Sequence, residues 1–321
     1  MSSIRPLPRP ARITLHDTAD AGALLGPRSD RDALVVVTPI PPPAGLLDHT
    51  RLSKVKRLVA GLADVDEALS SGEPAVTLAA AERVPGRRLV LSVTGRVDRH
   101  TDDVRAYAEA AAAGIKKAWK AGAQHPALVV LAPDDPRHER AVEVAALGAL
   151  SSLWRSVEAR LARLGKGPRV KSIAMLVEDA AAHPRLPAIA RAVEQGRGAA
   201  RDITGTEPEV MSPEAAADYV EQTFARGPVE VAVERDPEVI HEAYPMLWSV
   251  ARGSLRVERH LPRVIRLEYD PGEAERTVLL VGKGVTYDTG GHNIKVGAYM
   301  SGMSRDKGGA GAVAGVLRMV Q

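Results

Sequence analysis

A chain of 321 residues, 45% hydrophobic and 26% charged, is long enough for one large or two medium domains with true apolar cores. Its net charge of +3 comes from scattered arginines without a basic block, so nucleic-acid binding has no support, and the lack of cysteine excludes disulfides and thiolate metal sites. No window reaches the ~18 apolar residues of a membrane span, and the N-terminal MSSIRPLPRPARITLHD has no signal-peptide core, so a cytoplasmic protein is expected.

The elements follow in chain order. Buried strands are expected at Asp32 to Ile40, Arg87 to Thr94, Ala127 to Ala132 and Val170 to Val177, each a short β-branched run. Helical spacing occupies Asp102 to Ala121 and Arg137 to Leu164 between them. This alternation predicts an α/β layer domain over residues 1–180, with helices on both faces of the sheet. Aromatic residues make up only 3% of the chain, which leaves Ala, Val and Leu to build the core.

A second domain is expected over residues 181–321. Leu186 to Ile203 reads as a helix between the two domains. Ser212-Pro213-Glu214 is a helix start, in which serine caps free amides, proline fits the first turn and glutamate complements the dipole. The pattern continues with strand Val229 to Val233, helix Pro237 to Ala251, and strands Arg263 to Tyr269 and Thr277 to Val281. Gly308 to Val320 closes the chain as a helix rich in glycine and alanine.

Chemistry concentrates in Val281 to Gly291, VGKGVTYDTGG, followed by Lys295 and Asp306. Lys283 lies at the end of an expected strand, where ligands gather in α/β sheets, and Asp306 opens the last helix. Two carboxylates in a glycine-lined pocket bind a hard or borderline cation or exchange protons. Lysine nearby lowers carboxylate pKa, and it ligates metal if burial removes its proton. A metal site, a phosphate or anion site, and a glycine-rich turn with surface ion pairs all fit these residues. A P-loop does not, because glycine follows Lys283 where that motif needs serine or threonine.

The run VGKGVTYDTGG, then Lys295, then RDKGGAGAVAG resembles the metal-binding core of the M17 leucyl aminopeptidase family. The likeness extends upstream through AIARAVEQGRGAARDIT, SPEAAADYVEQ, VARGS and IRLEYD, covering roughly residues 185 to 321. The resemblance implies an N-terminal α/β domain of macro-like type, followed by the first part of an α/β metallo-aminopeptidase catalytic domain. It implies two divalent cations, manganese or zinc with magnesium as a third candidate. Asp288 would bridge them, and Lys283 and Asp306 would bind one of the two. A metal-activated water would attack the peptide carbonyl, while Lys295 would stabilise the oxyanion as the catalytic residue. The substrate would be a peptide losing its N-terminal residue, and the complete protein would assemble as a hexamer.

The family's second motif, Asn-Thr-Asp-Ala-Glu-Gly-Arg, supplies the remaining aspartate and glutamate, and it does not occur in this sequence. A C-terminally truncated chain, with weak or absent peptidase activity, is therefore the expectation. A non-catalytic scaffold or binding relative is the alternative. His292, His241 and His260 read as loop or surface histidines, and Trp119 and Trp154 as packing residues.

Overall fold

The computed structural model describes residues 4–6, 9–26, 29–43, 48, 52–82, 84–97, 100–162, 170–292 and 294–321. They divide into two compact units: Pro10–Trp154 with Lys166–Glu194, and Met1–Arg9 with Arg155–Gly165 and Gln195–Gln321.

The first unit is a mixed, mainly parallel sheet of six strands. In chain order these are β1 (Arg12–His16), β2 (Ala33–Thr38), β3 (Ala75–Ala80), β4 (Arg88–Val93), β5 (Pro126–Val130) and β6 (Ser172–Leu176). The order across the sheet is β1-β6-β5-β2-β4-β3, and only β3 at the edge runs antiparallel to its neighbour. Every residue of β2 is buried, as expected of a strand covered on both faces.

Alternation along the strands builds two cores. Val35, Val37, Leu128 and Ile173 pack with α4 (Arg105–Lys120) and α5 (Ala141–Ser151). Leu34, Val36, Leu89 and Val129 pack with α1 (Ala21–Leu25), α2 (Ser53–Val65) and α3 (Glu67–Ser70) on the other face. Each such aliphatic side chain contributes about 1.5–3 kcal/mol by leaving water. The expected strands near residues 32, 87, 127 and 170 are all present. The strands β1 and β3 and the helix α2 are additional, and β3 (AVTLAA) carries three alanines, which have weak strand propensity.

Two expected helices are each divided. The stretch from Arg137 ends as α5 at Ser151 and restarts as α6 (Val157–Leu161), where Ser156 accepts a hydrogen bond from the Ala159 amide at 3.2 Å. Leu164, the expected end of that helix, lies outside the described residues. Pro237 to Ala251 breaks at Tyr244, which takes φ −133° ahead of Pro245 because the proline ring disfavours helical geometry in the residue before it.

The second unit contains α6, the later part of α7 (Leu186–Gly205), α8 (Pro213–Phe224), β7 (Val229–Glu234), α9 (Pro237–Ala243), α10 (Pro245–Ala251), β8 (Val264–Tyr269) and α11 (Gly308–Val320). β7 and β8 pair antiparallel. Ile203, Met211, Tyr219, Phe224 and Ala314 form the core. Ser212 caps α8 through the Ala215 amide at 3.3 Å, as its position before proline predicts.

The expected strand at Thr277 to Val281 is absent. Those residues adopt no ladder, and Val278, Leu279 and Val281 are 77%, 85% and 95% exposed. Apolar content marks a segment able to pair, but a strand forms only where a neighbour supplies the opposing donors and acceptors.

Candidate functional site

The site is built on the start of α11. The Ala310 amide donates to the carbonyl of Lys283 at 2.8 Å, which seats the backbone of residues 282–284 directly on the helix. The approach needs glycine on both sides. A Cβ on Gly309 would lie 2.7 Å from the Lys283 nitrogen, and one on Gly282 would collide with the Gly309 carbonyl group. A second close approach holds α11 itself, because a Cβ on Gly315 would stand 2.8 Å from the Gly196 oxygen of α7.

This seating brings the Lys283 ammonium to 2.8 Å from the Asp306 carboxylate. The intervening loop then folds back through hydrogen bonds from the Ile294 amide to the Gly291 carbonyl and from the Lys295 amide to the Thr289 carbonyl, both 3.0 Å. The return places Lys295 Nζ 2.8 Å from Asp288 Oδ2 and 3.4 Å from the Asp288 carbonyl. Asp288 Oδ1 accepts from the Gly290 amide at 2.7 Å, and Met303 Sδ lies 3.6 Å from Lys295 Nζ. The four residues singled out in the sequence thus form two lysine–carboxylate pairs.

The electrostatics follow from this geometry. The hydrogen bond from Lys295 holds the Asp288 carboxyl below the usual carboxylate range. The Gly290 amide and the charges of Lys295 and Lys283 act in the same direction. The side chains remain partly open to solvent, at 61% for Lys283, 27% for Asp306, 30% for Lys295 and 37% for Asp288. Pairs this exposed add at most about 1 kcal/mol to stability, so they exist at little cost to displacement.

The two carboxylates suit a divalent cation in kind. They are few in number. Among the described residues no three His, Cys, Asp or Glu side chains gather in a metal-holding group. His292 is exposed in the left-handed region at φ 48°, and no metal-holding group includes it.

Beneath the site lies a polar layer that composition and spacing did not reveal. Lys307 is 1% exposed, and its ammonium donates to the Thr206 carbonyl at 2.8 Å and to the carbonyl of Ser304. Asp202, fully buried, accepts two bonds from Arg160, at 2.6 and 3.0 Å, and one from the Tyr219 hydroxyl at 2.9 Å. The only sequence signal for the first was a lysine at the start of a glycine-rich helix, where the dipole disfavours positive charge.

The fold is an α/β arrangement shared with leucyl aminopeptidases. It aligns over 97% of this chain and 59% of a leucyl aminopeptidase from Trypanosoma cruzi, with TM-score 0.66 and 20% identity. It aligns over 100% of this chain and 60% of a tomato leucine aminopeptidase mutant, with TM-score 0.70 and 18% identity. Residues 198–321 match the cytosol aminopeptidase family, catalytic domain, and that segment of the chain belongs to the family.

Sequence relatives agree. The Caenorhabditis elegans protein named "Putative aminopeptidase W07G4.4" is 38% identical over 239 residues, which is 74% of this chain and 45% of that protein. A "Probable cytosol aminopeptidase" of Micrococcus luteus is 33% identical over 239 residues, 73% of this chain and 45% of that protein. The chain therefore spans about half the length of the curated relatives it matches.

Proposed function

We propose that this chain carries part of the catalytic centre of a metal-dependent aminopeptidase, which releases N-terminal residues from peptides by two-metal hydrolysis. One observation supports this above all. Within the family-matching segment, Lys283, Asp288, Lys295 and Asp306 converge as two ion pairs at the start of α11. Asp288 would serve both cations, and Lys283 and Asp306 would together hold one of the two. When bound, such cations polarise a peptide carbonyl and lower the pKa of a water.

The chain's own residues do the rest. Lys283 must release the Asp306 carboxylate and lose a proton before its amine can ligate. Lys295 carries a positive charge beside the carboxylate of Asp288, and that charge suits the negative oxygen that develops when a carbonyl is attacked. Gly290 holds Asp288 in place through its amide. Manganese or zinc is the proposed cation, magnesium a further candidate, and the bottromycin maturation enzyme BotP has been solved with Mn. A cytoplasmic hexamer is the proposed state of the complete protein. None of the described helices is long and apolar enough to cross a membrane.

A non-catalytic binding relative is the second reading. It is favoured by the fact that, among the described residues, no third His, Cys, Asp or Glu side chain joins the two carboxylates in a metal-holding group. Calorimetric titration with Mn2+ or Zn2+, alongside release of leucine from leucyl p-nitroanilide, separates the two. Metal binding that depends on Asp288 and Asp306 supports the metal centre, and its complete absence overturns it. Robust metal-dependent leucine release overturns the non-catalytic reading.

A further inference from the structure

Lys307 is an expensive residue. An ammonium is almost never fully buried without partners, and this one sits at the first end of α11, where the helix dipole opposes it. Burial pushes its pKa down, against the pull of the Glu207 and Glu158 carboxylates. What it gains is a link between two pieces of backbone far apart in sequence. The Thr206 carbonyl directly follows the end of α7, where helix carbonyls lack partners and the dipole favours a cation. The Ser304 carbonyl belongs to the turn Met303–Arg305, immediately before Asp306.

We propose that Lys307 is a positioning residue: it ties the Met303–Arg305 turn to the end of α7 and so sets where Asp306 presents its carboxylate to Lys283. The Thr206 carbonyl is a firm anchor. The Thr206 hydroxyl donates to the Asp202 carbonyl at 2.6 Å, and the Asp202 carboxylate is itself held by two hydrogen bonds from Arg160. Met303 and Ser304 precede Asp306, so a turn left untied would move the carboxylate and the first turn of α11 together. The 282–284 backbone rests on that first turn through the Ala310 amide. The metal-centre reading enters only in what Asp306 would hold.

The Ala310 amide provides the test. Amides of a first helical turn have no intrahelical acceptor, so its protection from hydrogen exchange reports on the bond to Lys283. The full chain is compared as wild type, Lys307→Met, Lys307→Gln and Tyr219→Phe. The last loosens the same unit without touching the turn. Lys307→Met is expected to lose about 10-fold of the Ala310 protection and to bind Mn2+ about 10-fold more weakly. Tyr219→Phe is expected to lower the melting temperature while leaving both readouts unchanged.

Lys307→Gln keeps a donor without the reach. It is expected to lose Ala310 protection as well, and it decides the matter if Lys307→Met does not fold. Wild-type Ala310 protection in a folded Lys307 variant overturns the proposal, as does an equal loss in Tyr219→Phe. If the wild-type chain binds no Mn2+, the metal-centre reading falls. Exchange at Ala310 then still decides whether Lys307 positions the pair.

Discussion

Lys283 and Asp306 lie 2.8 Å apart because their two backbone segments touch where neither can carry a side chain. Gly282 and Gly309 face each other across the contact, and the Ala310 amide closes it onto the Lys283 carbonyl. The ion pair is thus a consequence of backbone packing, which holds even though the charges themselves are half open to water.

Gly282→Ala should therefore act on the pair without altering either charge. Forcing a methyl against the Gly309 carbonyl group should cost about 1–3 kcal/mol in urea unfolding. Hydrogen exchange at Ala310 should rise in the same variant. Unchanged stability and unchanged exchange would show that the contact is loose.

Neutralising the carboxylates should have the opposite signature. Asp288→Asn and Asp306→Asn should each change stability by less than about 1 kcal/mol, because both pairs are solvent-screened. Calorimetry should nevertheless show weaker Mn2+ binding, by about 10-fold or more. Variants that bind the cation as well as wild type would remove these two residues from the proposed centre.

The Arg160–Asp202–Tyr219 cluster should dominate the stability of its unit. Asp202→Ala strands a largely buried guanidinium and should cost about 3–5 kcal/mol. Tyr219→Phe removes one hydrogen bond from a carboxylate that keeps Arg160, and should cost about 1–2 kcal/mol. Chemical denaturation measures both, and a larger loss in Tyr219→Phe than in Asp202→Ala would refute this ordering.

Tyr107 predicts a base-sensitive fold. Its ring is fully buried against His138, its hydroxyl has no hydrogen-bond partner among the described residues, and burial pushes its pKa up to about 12. The native state therefore keeps a proton that the unfolded chain releases near pH 10. Stability from this group is complete below pH 10 and is lost as pH rises toward 12, by up to about 2–3 kcal/mol. Tyr107→Phe should flatten that decline and be neutral or stabilising at pH 7, because it removes an unsatisfied polar group. Melting temperatures at pH 7 and pH 11 check both statements.

Local pattern carried much of the fold into view. Four strands of the large sheet and both strands of the small one were legible as short β-branched runs, and Ser212-Pro213 marked the start of α8. The breaks at Ser156 and Pro245 were also written locally, as a capping serine and a helix-incompatible proline. They were obscured by apolar spacing that runs straight across them. The alanine-rich β3 carried too little of a strand's character to be read.

The sequence by itself determined the family, the α/β class and the four residues worth watching, because spacing in a glycine-rich segment and alternation along strands are properties of neighbouring positions. Tertiary structure alone decided three further things: that each lysine of that segment pairs with one aspartate, that Thr277 to Val281 forms no strand, and that Lys307 is buried beneath the turn. Each depends on which distant backbone arrives opposite a side chain. A lysine reads the same in sequence whether it meets water or two carbonyl oxygens.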